Sequence, residues 1–417
     1  MSLERTPVLV VGGGIGGMAC ALALARQGQP VALLERSAHL GEIGAGLQLG
    51  PNAFAALDAL GVGDQVRRAA VFTERLVMMD AVDCREVASV PVGEAFRARF
   101  GNPYAVSHRA DLHGALHAAA AAHPLVRLHT GVRIAAVEVG APGVSATAAD
   151  GRRFHGAALV GCDGVKSVVR EKLLGDAPRV SGHVVYRAVV PVADMPDDLR
   201  MNAPVVWAGP DCHLVHYPLR GGEQYNLVVT FHSREREEWG VTDGSKEEVL
   251  SYFQGVHPRP RQLLDRPTSW RRWSTADRDP VERWSEGRAT LLGDAAHPMM
   301  QYLAQGACMA LEDAVTLAAA VQARDFDFPA AFRLYQSARI ARAARVVLSV
   351  REMGRLYHAK GVERLVRNSL WPDRSPTRFH DALEWLYAWR PDNCLADAAV
   401  GRGGEIPSPT TATILND

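Results

Sequence analysis

The chain has 417 residues, too many for one ordinary hydrophobic core, which points to two or three packed units. Its 47% hydrophobic and 22% charged residues are an ordinary globular balance, and 46 Lys+Arg against 46 Asp+Glu leave no net charge to draw a nucleic acid. No apolar run approaches the roughly 18 residues that span a bilayer. Residues 1–5 lead straight into a strand without a secretory signal. The six cysteines are scattered with no CxxC, and read as reduced thiols rather than a disulfide framework or a metal site. The expected compartment is the cytoplasm.

A run of Val and Leu ended by three glycines predicts a buried strand over 7–11. Residues 15–27 are rich in Ala and Leu and read as a helix capped by Gly28, and 31–34 as a second buried strand. This strand–turn–helix–strand unit has the length a dinucleotide fold requires. A helix is expected over 111–123, and strands over 132–139 and 157–161. Between 184 and 231 the texture changes to strand-like runs at 184–192, 205–207, 213–219 and 225–231, separated by turn signals, as in an antiparallel sheet. The α/β texture returns with a strand over 289–292 and a helix over about 306–323. An Arg- and Ala-rich helical region over 330–357 spaces its charges at helical intervals and reads as a solvated or interface face. The last fifteen residues, rich in Gly, Pro and Thr, read as a loose tail.

Three short motifs carry the chemistry. Gly12-x-Gly14-x-x-Gly17 sits between a strand and a helix: Gly12 permits the tight turn, Gly14 lets main chain approach a pyrophosphate, and Gly17 lets helix and strand pack closely. The helix then offers unpaired N–H groups to phosphates. Glu35 closes the second strand, with Arg36 beside it, where a carboxylate binds ribose hydroxyls. The second motif is Gly161-Cys162-Asp163-Gly164, followed by Ser167 and Arg170. Read alone, Asp163-Gly164 is a turn dipeptide. The third is Gly293-Asp294-Ala295-Ala296-His297-Pro298, where Asp294 follows a strand at the carboxyl end at which α/β ligands bind. Gly306 and Ala307 open the helix after it, and a helix N-terminus favours negative charge.

In order and spacing the three motifs resemble those of the FAD-dependent aromatic hydroxylases, a family of flavoprotein monooxygenases, over most of the chain. The resemblance implies an α/β fold: a Rossmann-like FAD-binding domain with an inserted antiparallel β-sheet substrate domain and a helical C-terminal region. The boundaries it suggests are 1–75, 105–182 and 276–345 for a discontinuous FAD-binding domain, 76–104 and 183–275 for the substrate domain, and 346–417 for the C-terminal region. It implies FAD as cofactor, NADH or NADPH and O2 as co-substrates, a small aromatic acid as substrate, and a homodimer with no nucleic acid and no membrane span. It places Asp294 on the ribityl chain, Gly306 and Ala307 beside the isoalloxazine ring, Arg109 on the FAD, and Asp163 near the FAD in support of nicotinamide use. His297 is expected to be structural.

On the substrate side, a strand over 213–219 places His213, Val215 and Tyr217 on one face and His216 on the other, so the two histidines cannot form a metal pair. His213 and Tyr217 can then line one pocket, and a histidine there can take a proton from a phenol. Each also reads as an ordinary sheet residue. Gln301 and Tyr302 follow the Asp294 motif, with Met299 and Met300 as apolar walls. Within the family, this pairing is similar to the 3-hydroxybenzoate 6-hydroxylases. That implies conversion of 3-hydroxybenzoate to 2,5-dihydroxybenzoate through a flavin hydroperoxide, with His213, Tyr217 and Gln301 handling the phenol. Salicylate or a hydroxynicotinate is the alternative substrate, and a flavin-binding redox protein without hydroxylase activity the alternative class.

Overall fold

A computed structural model describes residues 6–41 and 46–396. Strand β1 (Val8–Val11) is buried throughout and ends where Gly12 turns the chain at φ +106°. Helix α1 (Ile15–Arg26) packs its Ala/Leu-rich length into the core, and β2 (Val31–Leu34) runs parallel to β1. The chain then leaves this unit to form β3 (Arg75–Asp80) and β4 (Glu86–Pro91). It returns through α2 (Arg109–Ala122), β5 (Val126–His129), β6 (Ala158–Gly161) and α3 (Val168–Leu174). Six strands follow: β7 (Arg179–Pro191), β8 (Val205–Gly209), β9 (Cys212–Leu219), β10 (Gln224–His232), β11 (Gly240–Gly244) and β12 (Trp270–Asp277). The last elements are β13 (Ser285–Glu286), β14 (Ala289–Leu291), and helices α4 (Gly306–Gln322), α5 (Phe328–Tyr357), α6 (Gly361–Ser369) and α7 (Pro376–Tyr387).

Among the described residues, one six-stranded sheet runs in the order β13-β14-β6-β1-β2-β5. Its strands are parallel apart from the short β13 edge. Helices pack on it, a separate three-stranded antiparallel sheet over 134–156 shares its core, and β1, β2, β6 and β14 are buried throughout, as strands of a covered parallel sheet are. An eight-stranded sheet runs β11-β12-β7-β10-β9-β8-β3-β4. It is antiparallel except at β8–β3, where Val205–Gly209 runs parallel to Arg75–Asp80 because the two strands enter from different parts of the chain. The α/β class with an inserted, mainly antiparallel sheet is therefore the observed architecture.

The large sheet has two distinct faces. Leu214, Trp207, Leu227, Val229 and Phe231 point into a separate core under the 246–265 segment. Val215, Tyr217, Val228, Val185 and, at the edge of the cluster, Val206 point the other way, toward the parallel-sheet unit. The period-2 alternation of a strand produces this division. The sequence reading locates β7, β8, β9 and β10 but starts β7 five residues late, and it does not identify β3, β4, β11 or β12. The positions 182/183, 275/276 and 345/346 fall inside β7, β12 and α5 respectively. The 403–417 tail lies outside the described residues.

The reading of the Arg-rich helix as a solvated or interface face holds for Arg333, Arg345 and Arg355, which are exposed, and fails at Arg339. Arg339 of α5 is fully buried between Glu312 and Asp313 of α4, and Arg342 reaches Glu312 at 2.7 Å. Helical spacing locates a face, but the carboxylates that neutralise it belong to another helix, and a buried guanidinium persists only with such partners.

Candidate active site

One cleft of about 1470 Å³ runs from the Gly12–Gly16 turn, past Asp294, to the face of the large sheet that carries His213 and Tyr217. At its first end the walls are main chain. A Cβ on Gly12 would lie 2.3 Å from the Cys162 carbonyl oxygen, and one on Gly17 would lie 1.8 Å from the Gly12 carbonyl oxygen. Both positions exclude any side chain. Among the described residues a Cβ on Gly14 would meet nothing within 4 Å, so this position faces the cleft. The glycine turn thus leaves a cradle that a side chain would fill, which fits a pyrophosphate at the N-terminus of α1. Glu35 sits beside it, accepting the N–H groups of Gly13 at 2.6 Å and Ser37 at 2.7 Å, and Arg36 lines the same wall.

The Asp163 turn packs against this cradle. Gly164 adopts φ +77°, and Asp163 accepts bonds from Ser167 Oγ and the Val168 and Val169 N–H groups, so its carboxylate caps the start of α3. Burial holds its pKa up against these donors. Arg170, fully buried, donates to the carbonyls of Ala295 and Ala296 while paired to Asp176. It ties the second motif to the third.

Asp294 faces the cleft from the turn after β14. Among the described residues no protein donor is bonded to its carboxylate, which leaves it open to a ligand hydroxyl. Enclosure pushes its pKa up, against the pull of Arg109 and His297. Behind the turn, Asp313 accepts the Gly293 N–H and pairs with His297 at 2.6 Å and with Arg339 at 2.7 Å. His297 is structural, as expected: it fixes the Asp294 loop from within. Gly306 and Ala307 line the cleft at the N-terminus of α4, and a Cβ on Gly306 would also meet open space. Arg109 opens α2 on the opposite wall.

At the far end the walls are side chains. His213, Val215 and Tyr217 line the cleft from β9, while His216 points into the other core beside Trp207. Gln301 donates to Thr230 Oγ1 at 3.0 Å, and Thr230 is the cross-strand partner of His213. The structure therefore brings His213, Tyr217 and Gln301 to one place. Burial pushes His213 down to about 3, so its imidazole is neutral, and pushes the Tyr217 phenol well above its usual value. A neutral ring has a nitrogen free to accept a proton, but its lowered pKa makes it a base that must hand the proton on.

Three neighbours escaped the sequence reading. His358, the C-cap of α5, sets Nε2 at 2.7 Å from His213 Nδ1. His183 on β7 bonds Tyr302 Oη at 2.6 Å. Arg187, on the same sheet face two strands from Val215, lines the cleft with Tyr217 and Arg109 as its electrostatic neighbours. Burial lowers its pKa, and it meets the edge of the site without a carboxylate partner among the described residues. Strand alternation from β9 to β7 would have placed Arg187 on this face had the register been known. No local pattern points to His358, 145 residues away from His213.

Comparison with known proteins follows this geometry. Residues 5–348 match the model of an FAD binding domain. The chain is 64% identical to a 3-hydroxybenzoate 6-hydroxylase of Klebsiella oxytoca, covering 93% of this chain and 98% of that protein. It is 61% identical to a second such enzyme, from Polaromonas naphthalenivorans, over 94% of this chain and 98% of that one. A salicylate hydroxylase in complex with substrate superposes with a TM-score of 0.79 at 26% identity, covering 95% of this chain and 98% of that one.

Proposed function

The chain belongs to the FAD-binding-domain family and groups with the 3-hydroxybenzoate 6-hydroxylases, and from that premise we propose that it is an FAD-dependent aromatic monooxygenase converting 3-hydroxybenzoate to 2,5-dihydroxybenzoate. The balanced reaction consumes O2, NAD(P)H and a proton, and yields the diol, NAD(P)+ and water. Bound FAD supplies the hydride acceptance and the oxygen chemistry. The protein binds, orients, keeps water out and moves protons.

One observation carries the residue assignments: a single cleft joins the glycine cradle and Asp294 to the sheet face bearing His213 and Tyr217, with Gln301 of the segment after β14 bonded to that sheet. Gly12, Gly14, Gly17, Glu35 and Arg36 hold the adenosine and pyrophosphate side. Arg109, Asp163, Gly164, Asp294, Gly306 and Ala307 hold the ribityl and ring side. At the sheet end, His213 takes the phenol proton, which raises electron density on the ring carbon para to the oxygen. Tyr217 and Gln301 hold the phenol oxygen, and Arg187 supplies the positive charge that an aromatic carboxylate needs. Met299, Met300 and the valines of the sheet exclude water, which protects the oxygen transfer from a wasted turnover.

The FAD-binding unit in this reading is 1–75, 105–182 and 276–345, with 76–104 and 183–275 as the substrate unit, supported by the two sheets. Among the described residues no helix is long and apolar enough to cross a membrane. A cytoplasmic homodimer using NADH is the accompanying proposal, with NADPH as the competing donor. The test is a panel of hydroxybenzoates with the flavin-loaded protein and each nicotinamide, scored by product chromatography. Substrate-stimulated NADH consumption with 2,5-dihydroxybenzoate as product is expected. NADH consumption with no hydroxylated product from any member of the panel would remove the monooxygenase reading.

A further inference from the structure

Behind the substrate-side wall stand four imidazoles in sequence. His213 lines the cleft, and its Nδ1 is engaged by His358 Nε2 at 2.7 Å, which leaves Nε2 as its remaining ring nitrogen. The His358 ring lies 5.3 Å, centroid to centroid, from His183, and His183 lies 5.2 Å from His232. His232 ends β10 and is exposed to solvent, with Nδ1 at 3.1 Å from the Ser233 carbonyl oxygen. Ring separations of this size place edge nitrogens within reach of one ring rotation or one bridging water. Tyr302 closes the side of the row, bonded to His183 and 5.3 Å from the His213 ring.

The row answers a difficulty in the proposed function, on which this inference rests. When His213 accepts a phenol proton it becomes a buried imidazolium whose bonded partner among the described residues is another imidazole, not a carboxylate. Burial already opposes charge on His213, His358 and His183, and the three repel one another's protons. A proton therefore cannot stay on His213 and must move on.

We propose that His213, His358, His183 and His232 form a proton relay from the phenol to solvent. The phenol O–H breaks and its proton joins His213 Nε2, while the Nδ1 proton of His213 passes to His358 Nε2. His358 releases its other ring proton to His183 Nε2, the nitrogen that Tyr302 leaves open, and the same nitrogen passes it by ring rotation or through a bridging water to His232, which discharges to water or buffer. One proton enters and one leaves, and no ring remains charged. His358, His183 and His232 act through His213 and touch no reacting atom.

The test uses the FAD-loaded enzyme in weak buffer, mixed rapidly with 3-hydroxybenzoate beside a pH-indicator dye, with benzoate as the control that has no phenol proton. Wild type releases a proton with 3-hydroxybenzoate and none with benzoate. His232→Ala is expected to slow that release by about 10²-fold, the lower end of the range for losing one proton-transfer group. Added imidazole should restore it, because a diffusible base replaces the exposed terminus. His358→Leu should slow release without rescue, since the break is internal. Wild-type release rates in both variants, or slowing in His232→Ala that imidazole leaves unchanged, would overturn the relay. Rescue separates proton transfer from structural damage, which imidazole cannot repair. Product analysis of wild type keeps the two readings apart. Proton release without dihydroxybenzoate leaves the relay and removes the substrate assignment, whereas product formation with unaffected variants removes the relay alone.

Discussion

The two ends of the cleft are walled by different parts of the polypeptide. At the nucleotide end the wall is main chain: five glycines within six residues, a helix N-terminus, and carboxylates on adjacent turns. At the sheet end the wall is side chains from β7, β9, β10, the segment after β14, and the end of α5. A main-chain wall can be specified by a contiguous stretch, because removing side chains is a local instruction. A side-chain wall needs the register of a sheet and the docking of a distant helix. The first end is thus intolerant of added atoms, and the second is intolerant of lost functional groups.

The sharpest way to break this comparison is to add atoms in the cradle. Gly14→Val should fold, since a Cβ there meets nothing within 4 Å among the described residues, yet its side chain would occupy the pyrophosphate position and flavin occupancy should fall to background. Gly17→Val should instead fail to fold, because a Cβ there would lie 1.8 Å from the Gly12 carbonyl oxygen. The paired readout is flavin absorbance and thermal unfolding of both proteins. A folded Gly14→Val protein that purifies yellow would sink the cradle assignment.

Removing a group at the other end should leave flavin in place. His213→Ala is expected to slow ring hydroxylation by about 10²–10⁴-fold, the range for losing a general base. Flavin reduction by NADH should fall less, and hydrogen peroxide should replace product. The deciding quantity is the ratio of hydroxylated product to NADH consumed at saturating substrate. If that ratio and the turnover stay at wild-type values, His213 is only a strand histidine.

How much of this was legible follows the same division. The strand–glycine–helix pattern, Glu35 and the Asp294 turn could be read from consecutive residues, and β1, α1 and β2 appear almost as expected. On β9, strict alternation was enough to separate His213 from His216 before any partner was known. The partners were not legible. Thr230 meets Gln301, and His358 meets His213, only through pairings set by tertiary packing. The strands β3 and β4 were missed because they carry charge and turn residues at a sheet edge, where burial is partial. Arg339 was misjudged for the reason that also hid His358: α5 gives the spacing, but α4 and β9 give the environment.

Asp294 sharpens the comparison with a smaller effect, because it is one side chain at the main-chain end. Its carboxylate faces the cleft with no protein donor among the described residues, so a ligand hydroxyl is its natural partner. Asp294→Ala should weaken FAD binding by about 1–3 kcal/mol, the usual loss of charge-assisted hydrogen bonds. Titration of the apoprotein with FAD measures it, and an unchanged dissociation constant would count against the assignment.

The smallest effect is expected at His216, three residues from His213 on the same strand and on the opposite face. Both of its ring nitrogens are buried without a hydrogen-bond partner among the described residues, beside Trp207, and burial pushes its pKa down to about 3 from 6.5. The folded state therefore holds this ring neutral over a range in which the unfolded chain would protonate it. The sign follows: the unfolded state binds more protons below pH 6.5, so stability falls as pH drops from there toward 3. The slope for one such group is about 1.4 kcal/mol per pH unit. His216→Leu fills a similar volume and removes that penalty. It should match wild-type stability near neutrality within a fraction of a kcal/mol and exceed it by about 2 kcal/mol near pH 5. Hydroxylation and coupling should be unchanged, because this face of β9 packs on the other core and never meets the cleft. Urea unfolding of both proteins at the two pH values gives the comparison directly. A stability gap that does not widen on acidification would show that His216 is protonated or solvated in the folded protein. A fall in product yield would show that the two faces of β9 do not act separately.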